Sequence, residues 1–302
     1  MKYCYFVNHE WTNCSSCKLG QAGSPSGRHA AWLDEHGYYR QLLSHYVSAG
    51  WLESPAHGVY RRPGVPLKWQ HVVASLTLTS AQPLHIGGAT ALQHAGFGHY
   101  VRMRGAETIC LYGPTSLPAW VRALPLPEKF LIRPDAAFAS LPVPRVWVSR
   151  EGASRHDVSR DVAVRNADGA LMDDAALAQS GLRMTRWGES DWPLVYATQE
   201  RAILEMLCDV PGSELVYDAH VMLQGMVNVR PAAMSMLLRH CASIKAKRLF
   251  LAMASRHRHA WFDKLDLDGV DLGSGKRALF AKGKLDATYQ ITLPADLDDY
   301  AR

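Results

Sequence analysis

The chain has 302 residues, with 48% hydrophobic and 20% charged residues and a formal charge of +5. These values suit a soluble globular protein of two domains, or one large one, with enough apolar material for a sizeable core. No run of about 18 apolar residues occurs, which excludes a membrane-spanning helix, and MKYCYFVNHE lacks the apolar stretch of a signal peptide, so a cytoplasmic protein is expected. A sequence pI near 8.9 suits a polyanionic partner without demanding one.

Met1 to Gly27 reads as an irregular N-terminal arm, flexible from Gly20 onward. Cys14 and Cys17 stand at metal-ligand spacing, and Cys4 or His9 would complete a zinc site. One CxxC without a second pair does not define such a site, so neither metal nor cofactor is expected. The other three cysteines, Cys110, Cys208 and Cys241, sit in apolar contexts and read as small buried side chains.

Ala30 to His36 reads as a short helix and Gly37 as a tight turn. Tyr39 to Ala49 follows as a second helix. Its apolar stripe is Leu42, Leu43, Tyr46 and Val47, and Gln41, Ser44, His45 and Ser48 lie on the other face. Gly50 ends it, because a residue without Cβ accepts the left-handed cap. Trp51 to Glu53 and Val59 to Arg62 read as short strands around a turn at Ser54 to Gly58, with Pro63-Gly64 as the stop. Helix, turn, polar-faced helix and basic wing make the layout of a winged helix-turn-helix, which binds DNA. The same units also occur as plain packing or protein-docking elements. Trp69 to Ser80 reads as a helix, His85 to Gly88 as a turn, and Ala89 to Ala95 as a short helix closing the first unit near His99.

From about Val101 the texture changes. Thr108 to Tyr112, Lys129 to Arg133 and Val146 to Ser149 are strand-like between proline-rich turns. Arg150 to Asn166 reads as a solvated strand or loop. Helices are predicted over Glu200 to Cys208, Glu214 to Met226, Pro231 to His240 with proline as the first residue, and Lys245 to Ala254. Ala278 to Leu293 returns to strands around Lys282-Gly283-Lys284. The fold class is thus mixed α/β (α+β): arm 1–27, winged helix-turn-helix 28–99, and a larger mixed domain 100–302. Between Lys245 and Lys284 ten basic residues face four acids, which fits either a second phosphate-facing surface or an ordinary solvated face.

No catalytic constellation stands out. Leu272 to Arg277 (LGSGKR) resembles a phosphate loop only in part, since Val270 stands where the first Gly belongs and Arg277 where the magnesium-binding hydroxyl belongs. It reads as a basic turn. The histidines lack the HExxH arrangement, and neither a GxSxG elbow nor a GxGxxG after a strand occurs.

Several segments, in one order from Arg28 to Pro294, resemble the AbiEi antitoxins of bacterial type IV (abortive infection) toxin–antitoxin systems. They are Ser48-Ala49-Gly50-Trp51-Leu52, Gly58-Val59-Tyr60, His85-Ile86-Gly87-Gly88-Ala89-Thr90-Ala91-Leu92, Glu200-Arg201-Ala202-Ile203-Leu204-Glu205, Lys245 to Phe250, Asp271 to Arg277 and Tyr289 to Thr292. The resemblance implies an N-terminal winged helix-turn-helix and a C-terminal antitoxin domain. It also implies repression of the protein's own operon through inverted repeats in its promoter. The implied partners are that double-stranded DNA and a co-encoded nucleotidyltransferase-like toxin, counteracted without a required stable complex. Family members carry an amphipathic first helix, and Met1 to Gly27 shows no such stripe.

The leading expectation is a non-enzymatic DNA-binding repressor and antitoxin. The rivals are an antitoxin that binds its toxin directly and an enzyme that modifies it. Tyr39, Arg40, Gln41, Ser44 and His45 are expected in the major groove, with Gln41 suited to adenine and Arg40 to guanine or phosphate. Arg28, His57, Arg61, Arg62 and Lys68 are expected on phosphates. Lys245, Lys247, Arg248, Lys276, Arg277, Lys282 and Lys284 make up the second basic surface.

Overall fold

The computed structural model describes residues 40–61, 63–64, 66–79, 83–97, 107–113, 116–142, 145–148, 162–165, 172–188, 192–210 and 213–300. Within these, α1 (Arg40–Ser48) leads into a two-stranded antiparallel hairpin, β1 (Glu53–Ala56) and β2 (Val59–Arg61), with Glu53 opposite Arg61 and Ala56 opposite Val59. The strand therefore runs through Ser54 to Ala56, which the sequence assigned to the turn, and the turn tightens to His57-Gly58. Gly58 takes it at φ +74°. Next come α2 (Trp69–Thr79), β3 (His85–Ile86), α3 (Gly88–His94), β4 (Thr108–Gly113), α4 (Ala119–Arg122) and β5 (Lys129–Pro134). A separate antiparallel pair, β6 (Arg145–Val148) and β7 (Val162–Arg165), precedes α5 (Asp174–Gln179), β8 (Leu182–Trp187) and β9 (Trp192–Ala197). Four helices follow: α6 (Gln199–Cys208), α7 (Ser213–Gly225), α8 (Pro231–His240) and α9 (Ile244–His257). The chain then forms the hairpin of β10 (Lys284–Asp286) and β11 (Ile291–Leu293), and α10 (Leu297–Tyr300).

The main sheet is mixed, in the order β5-β4-β3-β9-β8. β4 and β5 are parallel, as are β3 and β9 through Ile86 and Tyr196, while β3–β4 and β8–β9 are antiparallel. β9 reads Trp-Pro-Leu-Val-Tyr-Ala and is buried from Pro193 onward, as befits an inner strand covered on both faces. α6 is the hub of the helical layer and touches α3, α7, α8, α9 and β9. From Glu200 to Leu207 every residue of it is buried, including Glu200, Arg201 and Glu205.

Two sequence expectations change here. His85 to Gly88 is not a turn. His85 and Ile86 form the middle strand of the sheet, 3% and 0% exposed, paired to Tyr112, Leu111 and Tyr196. Segment 85–94, expected to close the first unit near His99, also supplies the middle strand of the main sheet. Val59, Val72 and Leu92 share one continuous core with Leu204 and Leu249. The terminal hairpin turns at Ala287 to Gln290, with Thr288 and Tyr289 donating to the Asp286 carboxylate and Gln290 at φ +51°, whereas Lys284 opens β10. The expected helix over Ala30–His36 and the arm with Cys4, His9, Cys14 and Cys17 lie outside the described residues.

Candidate nucleic-acid interface

α1 is held by a small apolar cluster of its own. Leu43 and Leu52 are buried at 3% and 7% exposure, with Tyr46, Val47 and Tyr60 packed around them. Gly50, at φ +74°, reverses the chain so that the Trp51 and Leu52 amides bond back to the Tyr46 carbonyl at 2.9 and 3.1 Å. That return places the hairpin directly after the helix and leaves Gln41, Ser44, His45 and Ser48 exposed together. Ser48 spends its hydroxyl on the His45 carbonyl at 2.9 Å. Trp51 is 64% exposed and stacks against Tyr46, with ring centroids 6.5 Å apart. Sequence reasoning did not single it out, although a tryptophan beside a predicted recognition helix was a visible signal.

The basic groups of the hairpin are only partly available. Arg61 faces Glu53 across the strands, with Nε and Nη2 at 2.7 and 2.6 Å from Oε2, so its charge is already countered. Burial holds the half-buried His71 imidazole below its ordinary 6.5; a main-chain contact to Lys68 works against this, and the Lys68 and Arg61 charges lower it further. His57 is exposed in the hairpin turn and Lys68 is exposed before α2. The structure therefore assembles Gln41, Ser44 and His45 on one helix face. Arg28, Tyr39 and Arg62 lie outside the described residues, as does the side chain of Arg40, which opens α1.

The second basic surface does not survive as drawn. Lys247 and Arg248 are each 3% exposed, so neither reaches a partner. The Arg248 guanidinium donates to the carbonyls of Leu272 (2.6 Å), Gly273 (3.0 Å), Gly275 (2.6 Å) and Gln290 (3.1 Å). Lys245 donates its ammonium to the carbonyls of Cys208, at 2.8 Å, and Val210. The Asp271 to Gly275 loop thus solvates a buried cation with its carbonyls, the opposite polarity from a phosphate loop, which presents amides. Its Gly273 sits at φ +64°, where a Cβ would lie 2.8 Å from Ile244 Cδ1. Lys276, Arg277, Lys282 and Lys284 remain exposed around the β10–β11 hairpin.

A buried polar knot joins β3 to α6. His85 Nε2 donates to Glu205 Oε1 at 2.8 Å, Arg201 Nε donates to the same oxygen at 2.7 Å, and the Gly88 amide donates to Glu205 Oε2 at 3.0 Å. The other Arg201 nitrogens reach the Asp135 carboxylate and the Ser180 carbonyl, each at 2.6 Å, and its guanidinium lies 4.7 Å from the Phe138 ring centre. Burial alone would raise the Glu205 carboxyl, but His85 and Arg201 outweigh it and hold the group below its ordinary 4.5. His85, Asp135 and Glu205 have a metal-like donor set, with ligand atoms within 4.8 Å of one another. Arg201 supplies the cation those carboxylates need, so the knot is complete as it stands. Gly87 is forced by it, since a Cβ there would sit 2.1 Å from Glu205 Oε2 and 2.5 Å from Tyr112 Cδ2. His85, Gly87, Gly88, Arg201 and Glu205 lay inside the segments that carried the family resemblance and Asp135 did not, and no local pattern announced that they meet.

An exposed polar helix face followed by a two-stranded hairpin is the arrangement of a winged-helix-type regulator. Two family models match the chain. Residues 16–103 match the N-terminal domain of the AbiEi antitoxin transcriptional regulators, and residues 154–294 match the transcriptional regulator, AbiEi antitoxin, of type IV toxin–antitoxin systems. The chain belongs to this family of antitoxin transcriptional regulators. No curated protein matches it. Among solved structures, the crystal structure of the RV2827C protein from Mycobacterium tuberculosis is similar, at 16% identity and a TM-score of 0.49, over 89% of this chain and 86% of that one. Among the described residues, no helix is long and apolar enough to cross a membrane.

Proposed function

We propose that this antitoxin represses its own operon in the cytoplasm by binding inverted repeats in the promoter, with α1 in the major groove and the β1–β2 hairpin along the backbone. Residues 28–99 carry that activity, and residues 100–302 counteract a co-encoded nucleotidyltransferase-like toxin. The observation that supports DNA binding best is the single exposed face of Gln41, Ser44 and His45, on a helix whose opposite face is pinned by Leu43 and Leu52. These side chains, with Tyr39 and Arg40, read base edges. Arg28, His57, Arg61, Arg62 and Lys68 hold phosphates and set the register. Lys276, Arg277, Lys282 and Lys284 form what remains of the second basic surface.

A gel shift and footprint of the full chain on the DNA upstream of its own gene, across a salt series, tests the reading. Protection of an inverted repeat, with affinity falling steeply as salt rises, is the expected result. Absent or salt-insensitive binding refutes it.

A further inference from the structure

The ends of α6 and α8 bring two free cysteines together. Cys208 is the last residue of α6 and half-buried, and Cys241 caps the C-terminus of α8 at 2% exposure. The two helices pack on each other, and the Cys208 thiol donates a hydrogen bond to the Cys241 sulfur. Ser243, the N-cap of α9, touches both cysteines. Its carbonyl lies 3.9 Å from Cys241 Sγ, and its hydroxyl bonds to the Cys208 sulfur. Lys245, in the first turn of α9, donates to the Cys208 carbonyl at 2.8 Å, so one helix start holds both sulfur-bearing ends in place.

The two sulfurs are not equivalent. The hydrogen bond from Cys208 holds the Cys241 thiol below its ordinary 9.0 against the opposing effect of burial, and the Ser243 main chain and the Lys247 and Arg201 charges lower it further. Lys247 is 3% exposed and has no carboxylate partner among the described residues, so its charge is available to a sulfur anion. The same thiol–thiol contact, with burial, raises Cys208. When the pair ionises, the negative charge settles on Cys241 and the remaining proton on Cys208. Cys110, also half-buried, is the contrast: burial raises its thiol, and its hydrogen bond is to Thr90.

We propose that Cys208 and Cys241 form a reversible disulfide on reaction with a hydroperoxide, tying the end of α6 to the end of α8. Cys208, the more exposed of the pair, takes an oxygen from the peroxide and becomes a sulfenic acid as the O–O bond breaks and water leaves. The Cys241 thiolate attacks that sulfur, the S–O bond breaks, and hydroxide departs with the proton that Cys241 gave up. The two thiols together lose two electrons and two protons, and hydrogen peroxide is reduced to two waters. A small dithiol restores both by exchange.

The test uses the reduced full chain, an equivalent of hydrogen peroxide, a quench with iodoacetamide at timed intervals, and tryptic digestion without reductant. Cleavage after Arg201, Arg239 and Lys245 puts Cys208 and Cys241 on different peptides, so mass spectrometry reads their linkage directly. The expected product joins those two peptides, disappears with dithiothreitol, and forms at least about tenfold faster than Cys110 loses its alkylatable thiol. In Cys241→Ser the sulfenic acid has no second sulfur to meet, and dimedone labels Cys208. A link from Cys208 to Cys110 instead, a Cys208–Cys241 link that appears only in urea, or loss of the Cys208 and Cys241 thiols no faster than that of Cys110 overturns the proposal.

Discussion

Glu205→Gln tests whether the knot between β3 and α6 is held by charge or by hydrogen bonding alone. Three donors converge on the carboxylate: His85 Nε2 and Arg201 Nε on one oxygen, the Gly88 amide on the other. A glutamine supplies one acceptor oxygen. Whichever way its amide turns, the NH2 group meets either the His85–Arg201 pair or the Gly88 N–H. Removing one partner of a buried ion pair costs about 3–5 kcal/mol. Arg201 keeps Asp135 at 2.6 Å, which puts the expected loss near the lower end, about 3 kcal/mol. That is a large share of a total stability of about 5–15 kcal/mol. At roughly 2–4 °C per kcal/mol the melting point falls by about 6–12 °C. Urea unfolding measures it as a lower midpoint at unchanged slope. Glu200→Gln serves as the comparison: its partner Arg230 is 56% exposed and is resolvated when released, so about 1 kcal/mol is expected. A loss at Glu205 below about 1 kcal/mol, or one equal to that at Glu200, refutes the ion-network account. The acid limb gives a second check. Glu205 is held below its ordinary 4.5, so the unfolded chain takes up the proton first as pH falls. The stabilisation is present above that value and is lost as pH drops through the folded one; in Glu205→Gln this limb flattens.

On the proposed DNA face, Gln41→Ala relaxes preference at one base pair by about 1–3 kcal/mol and leaves the others unchanged, read by competition gel shift on single-base operator variants. Arg61→Ala weakens binding to every sequence and lowers the salt slope by about 1. Glu53→Gln does the reverse, tightening binding by releasing the carboxylate 2.6 Å from the Arg61 guanidinium, and unchanged affinity in both removes the hairpin from the interface. Gly87→Ala prevents soluble expression or destabilises the chain beyond Glu205→Gln, since its Cβ falls 2.1 Å from Glu205 Oε2; a normal melting curve contradicts that packing. His257 is pushed down to about 4 by burial and by its neighbours His220 and His259. Between its ordinary 6.5 and that value the unfolded chain binds more protons, so stability declines as pH falls through this window. His257→Gln makes urea midpoints at pH 7, 6 and 5 more alike, and a wild-type midpoint flat across that range contradicts the assignment.

What was legible in the sequence had a local cause. The stripe of Leu42, Leu43, Tyr46 and Val47 and the stop at Gly50 come from 3.6-residue periodicity and one backbone angle, and α1 appears where they put it. Pro231 begins α8 for an equally local reason, since the first helical residue needs no amide partner. His85-Ile86 was illegible because two residues before a Gly-Gly pair carry no strand signal of their own. Tyr112, Leu111 and Tyr196 make them a strand, and all three lie far along the chain. Charge failed in the same way. Lys247 and Arg248 look like surface on a ten-to-four basic stretch, yet what stabilises Arg248 is a set of carbonyls 24 to 42 residues downstream. Arg201 meets Asp135 across 66 residues, and His85 meets Glu205 across 120. A buried ion is tolerated only when its counter-charge is delivered by the fold. Lys247 and Arg248 therefore became core, while Gln41, Ser44 and His45, on the face that the helical period had set apart, stayed outside.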